Sequence, residues 1–415
     1  MLLTAIGRAV LRLVASGVFV VGQLTSAAAV TPQPAWRLSA SPATTLHRVA
    51  VFGTDDRRDL PPAKQSLARK IGVLTDLSSR SQCTAFCVSE TVIATAGHCL
   101  FRTRDEDLPD LKNYRFKLHG LPASAAARIG GAQSAASVAH VVSGSMSLSV
   151  RPPIEATRDW ALVQLDVPAC TAGGLKISPH SAADLTNLAP TQPIYQVGYH
   201  RDFPGERLAF GAPCLVSRSF ERANWTKIQS DFYNAGQLIL HSCDTGGASS
   251  GSPLLIDGDD GPEVVGINVG TYVQSRVLMV NGAVARRYQA ENVANTAVSA
   301  RAFAAALDAI ERAEFVTTRT GMRELQMLLS GIGVFSGPRD GLYGATSRTA
   351  IETFERLEGL PVTGLATIEL LQTLRAPLVA KAVPPAVSAP TAIETGSVSG
   401  SEPIRLKLKH SVQVW

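Results

Sequence analysis

Gly246-Gly247-Ala248-Ser249-Ser250-Gly251-Ser252-Pro253 is the stretch on which the reading of this chain turns. It sets a serine among small residues, and two upstream segments, Thr95-Ala96-Gly97-His98-Cys99 and Asp159-Trp160-Ala161-Leu162-Val163, supply a histidine and an aspartate. A serine hydroxyl attacks a carbonyl only when a base removes its proton. An imidazole does this near neutral pH when a carboxylate holds its tautomer. Ser250 is thus the candidate nucleophile, His98 the base and Asp159 the orienting acid. Ser249 is the alternative nucleophile and Asp166 the alternative acid. Only Ser250 is followed by Gly-Ser-Pro. Activity is expected to rise with pH as the imidazole loses its proton.

The 415 residues are 45% hydrophobic and 18% charged, enough for a large core and more than one domain. The formal charge of +5 includes Arg8 and Arg12 of the N-terminal stretch. Without a basic stripe or interleaved aromatics, nucleic acid is not an expected partner. Arg8 and Arg12 precede the apolar run Leu13–Val21 and the small residues Ser26–Ala29, which is a secretory signal pattern over residues 1–29. Gly17, Gly22 and Gln23 interrupt a stretch too short to span a bilayer, so no membrane span is expected after cleavage. The six cysteines of an exported chain favour disulfides over metal, and no Cys-x-x-Cys pair offers zinc spacing. Cys83 with Cys99 is the first choice, because that bridge pins the segment bearing His98.

Residues 30–45 form a Pro- and Ser-bearing leader or linker. From 46 to 314, short β-rich runs such as Thr91–Thr95, Trp160–Leu165 and Val264–Val269 alternate with turns, predicting an all-β barrel or sandwich. It closes with a short helix carrying Phe303, Leu307 and Ile310 on one face, with Ser299 as its N-cap. Over 318–375 the period becomes helical, predicting a small three-helix bundle. Residues 376–415, rich in Ala, Pro, Val and Ser, are predicted to be a disordered tail. The histidines His47, His119, His140, His180, His200, His241 and His410 are scattered and read as surface or core.

On Cys83–Ser89, Thr95–Cys99, Asp159–Val163, Cys243-Asp244-Thr245, Ser250–Pro253 and the leading Asp55-Asp56-Arg57, residues 46–314 resemble a trypsin-like (chymotrypsin-fold) serine protease. The resemblance is to the bacterial glutamyl endopeptidase branch. The order His, Asp, Ser fits that fold rather than subtilisin or the α/β hydrolases. The resemblance implies two six-stranded antiparallel β-barrels with the active site between them, no metal and no cofactor. It also implies an oxyanion hole formed by the backbone N–H groups of Ala248 and Ser250, and a Cys214–Cys243 bridge. Cys87 and Cys170 remain, to pair with one another or stay as thiols. Ala248 stands where the family keeps glycine, and Ser249 where trypsin-like zymogens keep the aspartate that receives a new N-terminus. Asp244, six residues before Ser250, occupies the place of trypsin's pocket aspartate, and Asn268 falls where glutamyl enzymes place a histidine. Substrate specificity is left unassigned, with basic or small polar residues placed ahead of glutamate. Gly266, Ile267 and Asn268, with Val269, are expected to pair with the substrate backbone as an added strand.

Residues 318–375 resemble the peptidoglycan-binding domain found beside cell-wall hydrolases, on Gln326, Phe335, Asp340–Gly344, Thr346 and Val362-Thr363-Gly364. Arg339, Asp340 and Tyr343 are its candidate ligand contacts, with the alternative that they only hold the bundle together. Six Arg there meet six Asp plus Glu, so a grip on peptidoglycan rests on shape and hydrogen bonds. Together these readings point to an exported, periplasmic or secreted bacterial endopeptidase acting on protein or peptide near the wall. The alternatives are a catalytically weak homologue serving as a wall-binding adaptor, and an enzyme that cuts peptidoglycan stem peptides.

Overall fold

The computed structural model describes residues 50–101, 110–136, 140–220, 223–280, 283–287, 291–376 and 405–414. The signal and linker segments read at 1–45 lie outside them.

The first half of the chain builds a seven-stranded antiparallel sheet. Its strands are β1 (Ile71–Asp76), β2 (Gln82–Cys87), β3 (Val92–Thr95), β4 (Tyr114–Leu118), β5 (Ala127–Arg128), β6 (Val141–Ser143) and β7 (Ala161–Gln164), in the order β5-β4-β1-β2-β3-β7-β6. An antiparallel bridge between Ile129 and Leu165 joins the end of β5 to the end of β7, so the sheet curls back on itself. Ile93, Phe116 and Val163 lie on one face of it and Phe86 and Leu162 on the other, all at 0–1% exposure. Burial of such side chains at about 25 cal/mol per Å² is the main force closing the sheet.

The second sheet has ten strands. β8 (Ile194–Tyr199), β9 (Leu208–Cys214), β10 (Leu238–His241), β11 (Pro253–Gly258), β12 (Gly261–Val280) and β14 (Glu291–Ser299) follow the order β9-β8-β11-β12-β14-β10, with Arg58–Asp59 outside β9. Lys176–Ile177, β13 (Ala283–Arg287) and β15 (Arg405–Gln413) also pair with β12, which is twenty residues long. The fold is therefore mostly antiparallel β, followed by helices. The strand β15 falls in the segment read as a disordered tail. Its alternation of Leu406, Leu408, Val412 and Val414 with Lys407, Lys409, Ser411 and Gln413 is a period-two pattern that overall composition obscures.

Three disulfides close: Cys83–Cys99, Cys87–Cys170 and Cys214–Cys243. The first joins β2 to the turn bearing His98. The second ties the same strand to a segment 83 positions away.

Besides the short helices α1 (Ala182–Leu188) and α2 (Trp225–Gln229), α3 (Ala304–Arg312) buries Phe303 and Ile310 at the end of the β region. Ser299 begins a 3-10 turn there without capping through its side chain. Then α4 (Arg319–Gly331) starts at Thr318, whose hydroxyl accepts from Gly321 N, and buries Met322, Leu325 and Leu329. α5 (Ala345–Glu358) ends at Gly359, whose φ of 69° is the left-handed stop that glycine permits. α6 (Ile368–Arg375) buries Leu370, Leu371 and Leu374.

The helices are docked on the first sheet through polar contacts. Arg348 on α5 donates to the Ser143 hydroxyl and carbonyl at the end of β6, while its Nε bonds Glu352 at 2.7 Å. Tyr343 N donates to Ala136 O at 3.0 Å, and His140 stacks on Phe315 with centroids 3.8 Å apart. Arg348 is 8% exposed, so removing it leaves the buried Ser143 acceptors without their donor, while Glu352 retains Arg356 at 3.1 Å. Arg348→Ala is expected to cost about 1–3 kcal/mol, read by urea unfolding.

Candidate active site

Local geometry explains each motif. β3 ends at Thr95, and a 3-10 turn over Gly97–Cys99 sets His98 beside Asp159, which follows a second such turn over Ala156–Arg158. His98 Nδ1 lies 2.7 Å from Asp159 Oδ2, and the His98 backbone N–H donates to Asp159 Oδ1 at 2.8 Å. Both carboxylate oxygens thus hold one residue. Asp159 is 2% exposed, so nothing in solvent competes for it. The ring places its proton on Nδ1 toward the carboxylate and leaves Nε2 as the basic atom. That Nε2 is buried and has no partner among the described residues. Asp166 instead receives the Arg128 N–H at 2.9 Å and is exposed.

Ser250 is fully buried in the loop between β10 and β11, and its carbonyl accepts from Thr84 N at 2.9 Å. Gly251 has a φ of 84°, and a Cβ there would fall 2.0 Å from Thr84 O, 2.3 Å from Thr95 Oγ1 and 3.1 Å from Ala96 N. Only glycine allows this approach, which brings the serine loop against the segment leading into His98. Ser249 has its Oγ 3.3 Å from Asn268 Nδ2, on the buried side of the loop.

Ala248 adopts a φ of 76°, the left-handed region that favours glycine. Its carbonyl is held by Thr84 N at 3.0 Å and Thr84 Oγ1 at 2.9 Å. The Cβ noted in the sequence therefore costs strain, and Thr84 on the first sheet holds the peptide in place. Thr84 falls within the Cys83–Ser89 motif without a role of its own there, and that role emerges only where the two sheets meet.

Both candidate specificity residues are engaged by the protein. Asp244, 3% exposed, accepts Phe52 N at 2.9 Å on Oδ1 and Asp56 N at 3.0 Å on Oδ2. Arg57 continues this clasp, bonding Asp55 and Asp202 at 2.7 and 2.6 Å, and the neighbouring Arg201 N donates to Gly247 O. The Asp55-Asp56-Arg57 run thus braces the loop that precedes Ser250. Asn268, fully buried, receives His241 Nε2 at 3.2 Å, while its Nδ2 donates to Ser249 O at 3.1 Å. His241 Nδ1 accepts from Cys243 N, which fixes the neutral tautomer. His241 gives no sequence signal beyond a polar residue ending the apolar run Leu238–Leu240.

Gly266, Ile267 and Asn268 are paired on both edges. Gly266 and Ile267 pair with Leu254 and Pro253 on one side, and all three pair with Ser299, Val298 and Ala297 on the other. The remaining contacts of Asn268 on the first side go to Gly251 and Ser252. An added strand on that edge begins beyond them, at Thr271, where β15 lies.

Cys83 and Cys99 have sulfurs close to the His98 ring, but they are bonded to each other and offer no thiolate to a metal.

On the helical segment, Asp340 Oδ1 accepts from Leu342 N at 2.9 Å, and Gly341 N donates to Gln326 Oε1. Tyr343 OH donates to Gly364 O at 2.6 Å, and Arg339 donates to Ser330 Oγ at 2.8 Å. Glu355 gathers Thr363 N, Thr363 Oγ1 and Gly364 N on its carboxylate, and burial pushes its carboxyl up.

Residues 83–267 match the trypsin-like peptidase domain family. The chain carries a trypsin-like peptidase domain. Residues 318–374 match the putative peptidoglycan binding domain family, so a peptidoglycan-binding domain follows the peptidase domain. Among solved structures, a Glu endopeptidase in complex with MPD is similar at 18% identity and a TM-score of 0.39, over 63% of this chain and 97% of that one. A thermostable serine protease AL20 from an extremophilic microorganism is similar at 14% identity and a TM-score of 0.36, over 56% of this chain and 92% of that one. No curated protein matches the chain.

Two outcomes follow for this peptidase domain. Ala248→Gly relieves a left-handed alanine worth about 1–2 kcal/mol and gives back about 0.4–1 kcal/mol of unfolded-chain entropy, so denaturant unfolding should show a net gain near 0.5–1 kcal/mol. Burial lowers His241 to about 3. The unfolded chain protonates this histidine near its ordinary value, while the folded chain keeps it neutral. Stability therefore falls as pH drops from about 6.5 toward 3, by about 1.4 kcal/mol per pH unit for each such group. Unfolding free energies of His241→Gln across that window should show a slope smaller by about one proton.

Proposed function

We propose that the chain is an exported serine endopeptidase acting through His98, Asp159 and Ser250, and held near the cell wall by its peptidoglycan-binding domain. The observation that carries this reading is the buried Asp159 carboxylate holding both the ring and the backbone of His98, beside a serine loop anchored to the same first sheet. In this reading His98 Nε2 takes the Ser250 hydroxyl proton as Oγ attacks the peptide carbonyl. Asp159 stabilises the imidazolium that forms. The N–H groups of Ala248 and Ser250 receive the developing oxyanion, where one such donor is worth about 2.7–4 kcal/mol of barrier. His98 then returns the proton to the departing amine, leaving an acyl-serine, and activates the water that hydrolyses it.

Specificity is assigned to neither Asp244 nor Asn268. Asp244 already serves two backbone N–H groups and Asn268 serves the serine loop, so a substrate side chain meeting either must displace those bonds. The three disulfides and the peptidoglycan-binding domain support a location outside the cytoplasm, at or near the wall. No helix among the described residues is long and apolar enough to cross a membrane.

A second reading, a weakly active homologue serving as a wall-binding adaptor, is favoured by one observation, the positive φ of Ala248 at the oxyanion position. Casein hydrolysis by the exported protein separates the two. Ser250→Ala should lower turnover by about 10⁶, and a fluorophosphonate should label Ser250 in the native chain only. Equal hydrolysis by native protein and variant removes the endopeptidase reading, and absence of both hydrolysis and labelling favours the adaptor.

A further inference from the structure

The edge of β12 that opens at Thr271 is filled by the chain's own C-terminal strand. β15 runs antiparallel to it over nine consecutive partners, from Thr271 opposite Gln413 to Met279 opposite Arg405. Its other side reaches the first half of the chain, where Val412 N donates to Val150 O at 2.9 Å. β15 thus spans from the second sheet to the segment that follows β6 of the first. Residues Val412 and Val414 fall on one face of the strand. Together with Leu148, Val150 and Ile154 they line the pocket that contains His98 and Asp159. Val412 is 4% exposed. Gly270 admits the strand closely, since a Cβ there would lie 2.3 Å from Gln413 O.

The polarity of this strand is that of a substrate. In acyl transfer the residues N-terminal to the scissile bond form the acyl half, so a peptide added as a strand must point its C-terminal end at the base and nucleophile. β15 runs this way, since its partners on β12 step from Met279 at Arg405 to Thr271 at Gln413, toward Asn268, whose backbone pairs with Gly251 and Ser252 beside the nucleophile. It is also held by side chains that no barrel strand requires. His410 Nδ1 lies 2.6 Å from Asp231 Oδ2, Gln274 Nε2 donates to His410 Nε2 at 2.9 Å, and Tyr272 OH completes the set on Asp231 at 2.6 Å. Residues 377–404 of the sequence separate this strand from the last helix, so it joins the sheet as a segment tethered from far along the chain.

We propose that Arg405–Val414 is a substrate-like strand that occupies the peptide-binding edge of β12 and keeps the peptidase latent until it is displaced. The inference rests on the endopeptidase reading. A tethered strand acts at an effective concentration on the order of millimolar, so a free peptide competes at a disadvantage until the strand is unseated or cut. The seated strand also defines what fits: an extended peptide with valine-sized apolar side chains at two alternate positions on the acyl side.

The test uses full-length protein. Val412→Asp sets an unpaired carboxylate in the apolar pocket, and His410→Ala removes the polar latch without touching that pocket. Both should lower KM for a peptide ester by about tenfold or more with kcat little changed, and should speed fluorophosphonate labelling of Ser250. A synthetic peptide of residues 405–415 should inhibit Val412→Asp competitively, and the same peptide with both valines replaced by aspartate should not. Native chain and folded variants that label and turn over alike, or no inhibition by millimolar peptide, overturn the proposal and leave the endopeptidase reading intact. Failure of all three proteins to label or hydrolyse, with unfolding curves showing them folded, overturns that reading and the latency with it.

Discussion

Two hydrogen bonds from one residue to one buried carboxylate organise this molecule. Asp159 receives the His98 ring on one oxygen and its backbone N–H on the other, at 2.7 and 2.8 Å. A single bond to the ring leaves the imidazole free to swing. The second bond fixes the main chain, so ring position and tautomer are set together. Burial of the carboxylate makes the arrangement costly to break, since an ionised group out of water needs its partners. The Cys83–Cys99 bridge and the 3-10 turns on either side serve this geometry.

The serine side is built differently. Its loop depends less on regular pairing than on contacts from outside its own sheet. Thr84, from the first sheet, takes the carbonyls of Ala248 and Ser250, and Gly251 presses against the same strand. Behind the loop, His241 and Asn268 pass hydrogen bonds to Ser249 from the buried side. In front, the Phe52–Arg57 segment closes on Asp244 and the Asp202 loop. A strained alanine at φ 76° persists because its surroundings over-determine it. The loop that bears the candidate nucleophile is thus positioned by residues far from it in sequence.

The helical domain and the last strand extend this pattern. α5 reaches the first sheet through Arg348, and His140 stacks on Phe315, so the peptidoglycan-binding domain sits directly on the peptidase domain. The candidate ligand contacts Asp340 and Tyr343 brace turns within the bundle, through Leu342 and Gly364. β15 returns from beyond that domain to the edge next to His98. One stretch of chain therefore connects the peptidoglycan-binding domain with the edge of β12.

The sequence by itself determined the trypsin-like and peptidoglycan-binding domains and much of the architecture. The motifs around His98, Asp159 and Ser250 and the change from β-rich runs to helical periodicity near 318 are local signals, because turn geometry and periodicity depend on neighbouring residues. Tertiary structure alone decided how distant polar groups are spent. Asp244 reads as a pocket residue in sequence and serves Phe52 and Asp56 in the fold. Asn268 is tied to His241, and Gly266–Asn268 is paired on both edges. β15 was hidden because a strand at an edge gains its hydrogen bonds from a partner more than a hundred residues away, and no local pattern states that the partner's edge is open. Which donors and acceptors are already satisfied is a property of the packed chain, and no reading of neighbours along the sequence supplies it.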